Sequence, residues 1–257
     1  MNTKAIIKQI LCKVSKTLKD LDFKHSCAKL KLSEIVGIGV LKSLSMYSFR
    51  RFYEWIKQFR IFKLNERSRL QRLVNKYWHY CEVFLKKESL FNVADSYGVE
   101  LIHPIRYGRN KQLNSFVRKG ISNKRWIVGR KINIVINNFL QIVSFNHDLA
   151  GGTDKVFNSD FEGINGIILT DTGYSDKDKT KIPKNLKLCK KNSWNQRIYV
   201  ESLFSLWKRM LNTKQMMVKS LKGFSAKTAY LCALTNILFD LNTELGYNRF
   251  SMKQWVL

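Results

Sequence analysis

Apolar positions in the first 90 residues recur at helical spacing. Leu32 to Leu44 is an almost unbroken apolar run opened by Ser33-Glu34, a helix-start signal. From Tyr47 to Phe62, the side chains of Phe49, Phe52, Tyr53, Trp55, Ile56 and Phe59 share helical spacing, with Arg50, Arg51, Lys57 and Arg60 between them. Ser68 to Lys86 repeats the arrangement, with Leu70, Leu73, Val74, Tyr77, Trp78, Cys81, Phe84 and Leu85 set against Arg69, Arg72 and Lys76. Met1–Lys19 reads as a basic amphipathic helix. These stripes predict a small helical bundle with aromatic residues inward and Lys and Arg outward.

The texture changes near residue 90. Phe91–Asp95 is a short strand-like run, and Gly98 and His103-Pro104 read as breaks. Residues 106–125 are basic and irregular. Trp126–Asn137 then alternates, with Trp126, Val128, Arg130, Ile132, Ile134 and Ile136 on one side and Ile127, Gly129, Lys131, Asn133 and Val135 on the other. Asn137-Asn138 signals a turn into a β-like Leu140–Asn146, so a hairpin is predicted. Thr153-Asp154 looks like a helix cap. Gly166–Asp171 is a compact apolar strand ending in an acid, and Asn185–Cys189 is a further short strand. From Ser193 the pattern is helical, with a second long helix near Ser225–Leu241.

This order predicts an α/β chain, a mixed sheet with flanking helices preceded by an N-terminal helical region. The division expected is 1–90, helical, and 91–257, carrying the sheet.

Composition narrows the class. In 257 residues, 12% aromatic side chains with only 13 Gly and 2 Pro exclude a disordered or collagen-like chain. No stretch approaches about 18 uninterrupted apolar residues, so no membrane span is expected. Cys12, Cys27, Cys81, Cys189 and Cys232 are scattered, without a C-x-x-C pair. That argues against a disulfide framework or structural zinc and for a reducing compartment. The charge is the unusual feature: 46 Lys+Arg against 19 Asp+Glu, net +27. Such a field attracts polyanions, DNA or RNA before anionic lipid. An AT-rich genome also enriches Lys, so charge alone does not name the partner.

Against this background three acids stand out. Asp95 and Asp171 each end an apolar strand run. Glu201 lies on a helix where Arg197, Lys208 and Trp194 fall within about 60° of one another, taking about 100° per residue. Three carboxylates converging would repel one another, and divalent cations relieve this, since hard oxygen donors suit Mg²⁺ or Mn²⁺. Two such ions assist phosphodiester cleavage, and Arg197 and Lys208 beside the acid would hold a strand by its phosphates. Taken singly, each acid also suits a plainer role: Asp95 and Asp171 as turn or cap residues, Glu201 as a surface ion pair with Arg197.

Ala94-Asp95-Ser96, Leu169-Thr-Asp171-Thr-Gly173-Tyr174 and Arg197-x3-Glu201-x6-Lys208 together resemble the three acidic signatures of DDE-type transposases from bacterial insertion sequences. The third is similar to the Tyr-x2-Arg-x3-Glu-x6-Lys signature of one large branch, with Trp194 in the Tyr place. The hairpin around Gly129-Arg130-Lys131 and Asp154 also look like the segment between the first two acids. The resemblance covers roughly residues 30–240. It implies a ribonuclease-H-like core, with Asp95, Asp171 and Glu201 as catalytic ligands of two Mg²⁺ or Mn²⁺ ions. Beside them, Arg197, Lys208, Trp194, Arg50, Arg51 and Arg130 are the expected contacts to double-stranded DNA. The implied substrates are terminal inverted repeats and a target, held by a homodimer in the bacterial cytoplasm at the nucleoid. The implied reaction is cleavage at the element end followed by attack of the freed 3′ hydroxyl on the target. With 29 residues between Asp171 and Glu201, an inserted subdomain has no room. Two alternatives stay open: a non-catalytic nucleic-acid-binding protein (a decayed transposase) and a related metal-dependent nuclease.

Overall fold

The computed structural model describes residues 2–26, 28–45, 47–109, 115–122, 125–190 and 197–255. The chain divides into two compact units, Met1–Leu85 with Lys222–Leu257, and Lys86–Leu221. The C-terminal stretch therefore groups with the N-terminal helices, whereas the sequence pattern alone had joined it to the sheet.

The first unit is helical among its described residues. Helix α1 (Thr3–Thr17) buries Ile6, Ile7, Ile10 and Val14, the four-position stripe of an amphipathic helix. Helix α2 (Leu32–Leu44) is buried nearly all round. Its start is fixed by Glu34, whose carboxylate accepts the Lys31 backbone N–H at 2.7 Å. Helix α3 (Phe49–Gln58) buries only Phe52 and Ile56, and α4 (Arg67–Lys76) only Leu70 and Val74, so their Arg and Lys side chains stay on the outer face. Trp78–Phe84 continues as a 3-10 segment. The helix at Leu221–Glu244 is buried along most of its length, the mark of a core helix. It is pinned by Tyr230, whose hydroxyl donates to the Val74 carbonyl at 3.0 Å. No helix among the described residues is long and apolar enough to cross a membrane.

The second unit is built on a six-stranded mixed sheet. Strand β1 (Phe91–Ile102) lies inside it. On one side runs β3 (Arg125–Asn137), antiparallel. The far edge of β3 is shared: β2 (Arg118–Ser122) pairs with its first part and β4 (Ile142–Leu149) with the rest. On the other side of β1 runs β5 (Ile167–Thr170), parallel, followed by β6 (Leu186–Leu188), also parallel. Alternation along β1 separates two faces. Ala94 joins Val135, Val143, Phe157, Phe161, Ile168 and Tyr174 in a core under the 3-10 segment Asp154–Phe161. Tyr97 faces the other way, its ring 5.0 Å from that of Phe204 on α5 (Arg197–Met210).

Two expectations are corrected here. Gly98 does not break β1. A side chain there would meet Ile127 Cδ1 at 2.4 Å and Ser122 Cβ at 2.6 Å, so glycine admits its neighbours within a continuous strand. The basic stretch 106–125, read as irregular, contains β2, whose five residues are too short and polar to alternate visibly.

Candidate active site

Asp95 sits inside β1 rather than at its end and is 7% exposed. Asp171 follows the last residue of β5. The parallel register pairs Val93 with Leu169. Each acid lies two residues beyond that pair, at the same level on neighbouring strands about 4.8 Å apart. This is why two side chains 76 positions apart in the chain meet. Asp171 also serves as the cap the plainer reading assigned to it: Oδ1 accepts the Gly173 N–H at 2.8 Å. Its second oxygen, Oδ2, is turned to Arg197 Nη1 at 3.0 Å.

Glu201 comes from α5. Val200, Leu203, Phe204 and Trp207 are buried, which leaves Arg197 and Glu201, one helical turn apart, on a partly open line. Arg197 Nε lies 3.0 Å from Glu201 Oε1 and 3.5 Å from Asp95 Oδ2. All three acids therefore converge on one guanidinium. Nε is buried and makes no hydrogen bond, so its two carboxylate contacts are charge contacts without alignment.

The electrostatics follow from burial and crowding. Burial drives the Asp95 carboxyl up to about 7; Arg197 and the Ser96 N–H pull against this, and the Asp171 and Asp154 charges add to it. Burial acts against the Arg197 cation, yet Asp95, Asp171 and Glu201 together hold its pKa above the ordinary value. Lys208 stands with its Nζ 4.9 Å over the Tyr97 ring. Burial lowers its pKa, while Asp95 and Glu201 oppose the shift.

A fourth acid, Asp154, belongs to the neighbourhood. Its Oδ1 accepts from Ser96 Oγ and, at 2.9 Å, from Lys131 Nζ. A Cβ added at Gly173 would lie 3.0 Å from Asp154 Oδ2 and 2.9 Å from Asp171 Oδ1, so glycine lets both carboxylates approach that loop. In the sequence, Lys131 is a position in an alternating strand and Asp154 a helix cap, and neither pattern ties them to the site. Their pairing depends on β3 lying beside β1, which no local pattern announces.

The other expected residues fare differently. Arg130 is buried, at 7% exposure, and its Nη1 donates to the Phe116 carbonyl at 2.8 Å while Nη2 faces His147 Nδ1 at 3.3 Å. A guanidinium occupied in this way is not presented to a phosphate. Arg50 and Arg51 are exposed on α3 in the helical unit, beside Tyr47 and Trp55. Trp194 lies outside the described residues.

Among the described residues, no three His, Cys, Asp or Glu side chains form a ready metal cage. The three acids gather on a cation of the protein's own. Their chemistry nevertheless fits a divalent metal: the donors are all carboxylate oxygens, and the position where they meet is one that holds positive charge.

No curated protein and no solved structure matches the chain. The family model described as "Transposase DDE domain" matches residues 86–230, more than half of the chain, and takes in the sheet, both strand acids and α5. The chain thus belongs to the DDE transposase family.

Proposed function

We propose that this chain is a transposase of a bacterial insertion sequence, of the branch with the Tyr-x2-Arg-x3-Glu-x6-Lys signature, whose second unit is a ribonuclease-H-like catalytic domain. It cleaves the element's ends and transfers the freed 3′ hydroxyl to target DNA. Asp95, Asp171 and Glu201 are the catalytic acids, and the residues that would hold Mg²⁺ or Mn²⁺ as two ions. The observation that carries this reading is the convergence of all three on Arg197, at 3.5, 3.0 and 3.0 Å. Divalent metal, when bound, supplies the Lewis acidity that activates an attacking oxygen and steadies the leaving one.

The chain's own side chains do the rest. Asp171 is fixed by its cap to Gly173, so one oxygen is committed to the backbone and the other is turned into the site, against Arg197. Asp95 is oriented by the Ser96 N–H at 2.8 Å on Oδ1. Glu201 is half in solvent and can follow a substrate. Arg197 and Lys208 take backbone phosphates, Arg197 by its fork and Lys208 as a point charge held over Tyr97. In the first step water attacks phosphorus at the element end, and the 3′ oxygen leaves as a hydroxyl. In the second that hydroxyl attacks a target phosphorus and displaces the target's own 3′ oxygen. The helical unit, with Arg50 and Arg51 outward, contributes phosphate contacts to double-stranded DNA, on which the chain works as a homodimer. Its place of action is the nucleoid in the cytoplasm.

The test is cleavage of a terminal-repeat duplex in Mg²⁺. The parent cleaves, and Asp171→Asn is slower by about 10³ or more, as for loss of a group acting in the transition state. Equal rates would remove Asp171 from the mechanism and the reading with it.

A further inference from the structure

Arg197 occupies the position among the acids where positive charge is wanted. Its guanidinium takes Asp95 Oδ2 at 3.5 Å, Asp171 Oδ2 at 3.0 Å and Glu201 Oε1 at 3.0 Å. The opposite oxygens of the two aspartates are engaged by the backbone: Asp95 Oδ1 by the Ser96 N–H and Asp171 Oδ1 by the Gly173 N–H. The oxygens turned to the point where the acids meet are therefore the ones Arg197 holds, and a metal ion placed there would compete with the guanidinium for them.

The arginine is also built to leave. Its side chain is 38% exposed, which gives the guanidinium a route outward. Its Nε holds two carboxylates by charge without a directed hydrogen bond. What attracts a planar guanidinium outward is another anion with paired oxygens, and a DNA backbone phosphate is such a group. Lys208 is not the competitor, because its ammonium stands over the Tyr97 ring. Lys131 is committed to Asp154.

Resting on the function proposed above, we infer that Arg197 serves two anionic partners in turn: it neutralises Asp95, Asp171 and Glu201 in the DNA-free protein, then moves to a backbone phosphate, so that phosphate binding vacates the metal's oxygens. DNA and divalent metal each raise the other's affinity, by the same factor. The protein without DNA is thereby kept from loading metal, and an acid cluster that would otherwise repel itself is stable in the meantime.

The experiment uses the full chain and Arg197→Gln. Free Mn²⁺ is followed by electron paramagnetic resonance without DNA. The variant is expected to bind Mn²⁺ about tenfold more tightly than the parent, the equivalent of about 1.4 kcal/mol. The affinity for a fluorescent duplex is then measured with and without Ca²⁺ at constant ionic strength. Calcium tightens duplex binding by the parent and leaves Arg197→Gln unchanged. Mn²⁺ affinity in the variant equal to or weaker than the parent's overturns the inference, as does a parent whose duplex affinity ignores Ca²⁺. Should Arg197→Gln fail to fold by circular dichroism, Arg197→Lys takes its place. It keeps the charge but cannot fork across three carboxylates, so severalfold tighter Mn²⁺ binding is expected and unchanged binding overturns. Asp171→Asn separates this failure from that of the underlying reading. If Asp171→Asn abolishes Mn²⁺ binding while Arg197→Gln leaves it alone, only the coupling is wrong. If Asp171→Asn changes neither Mn²⁺ binding nor cleavage, both fall.

Discussion

Asp95 concentrates the site's electrostatics in one side chain. It is buried inside a strand, beside two other acids and one arginine, and that burial pushes its carboxyl up to about 7. In the unfolded chain an aspartate titrates near 3.9. Between those values the folded protein keeps a proton that the unfolded chain has released, so the unfolded state binds fewer protons and stability falls as pH rises. The contribution is full below about 4 and is lost as pH climbs through about 7. Asp95→Asn mimics the protonated form. Urea unfolding of the metal-free protein should show the variant equal to the parent near pH 4 and more stable at pH 8, by an amount on the order of a few kcal/mol. Parallel pH curves for the two proteins would contradict this. Arg130 teaches the opposite lesson at the same scale. Its sign suggested a DNA contact, but it shares the apolar side of β3 with Ile132 and Ile134, and the protein buries it. The alternation of β3 carries that information: Arg130 stands on the same face as Ile132 and Ile134.

At the level of elements, the site depends on α5 holding Arg197, Glu201 and Lys208 against β1. The anchor is Phe204, packed on Tyr97 at 5.0 Å and next to Trp207 at 6.0 Å. Phe204→Ala should cost about 3–5 kcal/mol in urea unfolding, whereas Ile198→Ala on the same helix, 60% exposed, should stay within about 0.5 kcal/mol. Equal effects would mean that α5 is not held by this face. The helix spacing of Arg197 and Glu201 was legible in the sequence because it depends only on residues four apart. So were the bounds of α2, Leu32–Leu44, where the apolar run is continuous. The meeting of Asp95 with Asp171 was implied by the family resemblance but by no local pattern, because it is set by the parallel pairing of β1 with β5, a non-local choice of partner and register. Gly98 misled for a related reason: the close approach of Ile127 and Ser122 that calls for glycine exists only after the strands pair.

For the whole molecule, 46 basic residues against 19 acidic ones make binding to polyanions the default, and specificity must come from where those charges sit. Arg50 and Arg51 are exposed on α3 in the helical unit. If each neutralises one phosphate, Arg50→Gln and Arg51→Gln should each lower the slope of log affinity against log salt by about 0.9, measured on a duplex by anisotropy. An unchanged slope would remove the helical unit's arginines from the DNA contact. The central claim is that Asp95, Asp171 and Glu201 act as one unit. It is tested most directly by comparing Mg²⁺-dependent cleavage by Asp95→Asn, Asp171→Asn and Glu201→Gln, alone and in pairs. Groups that share one task are lost together, so each single change should reduce cleavage to a common floor about 10³-fold or more below the parent, and pairs should go no lower. A single variant that cleaves at the parent's rate, or pairs whose losses multiply, would contradict it.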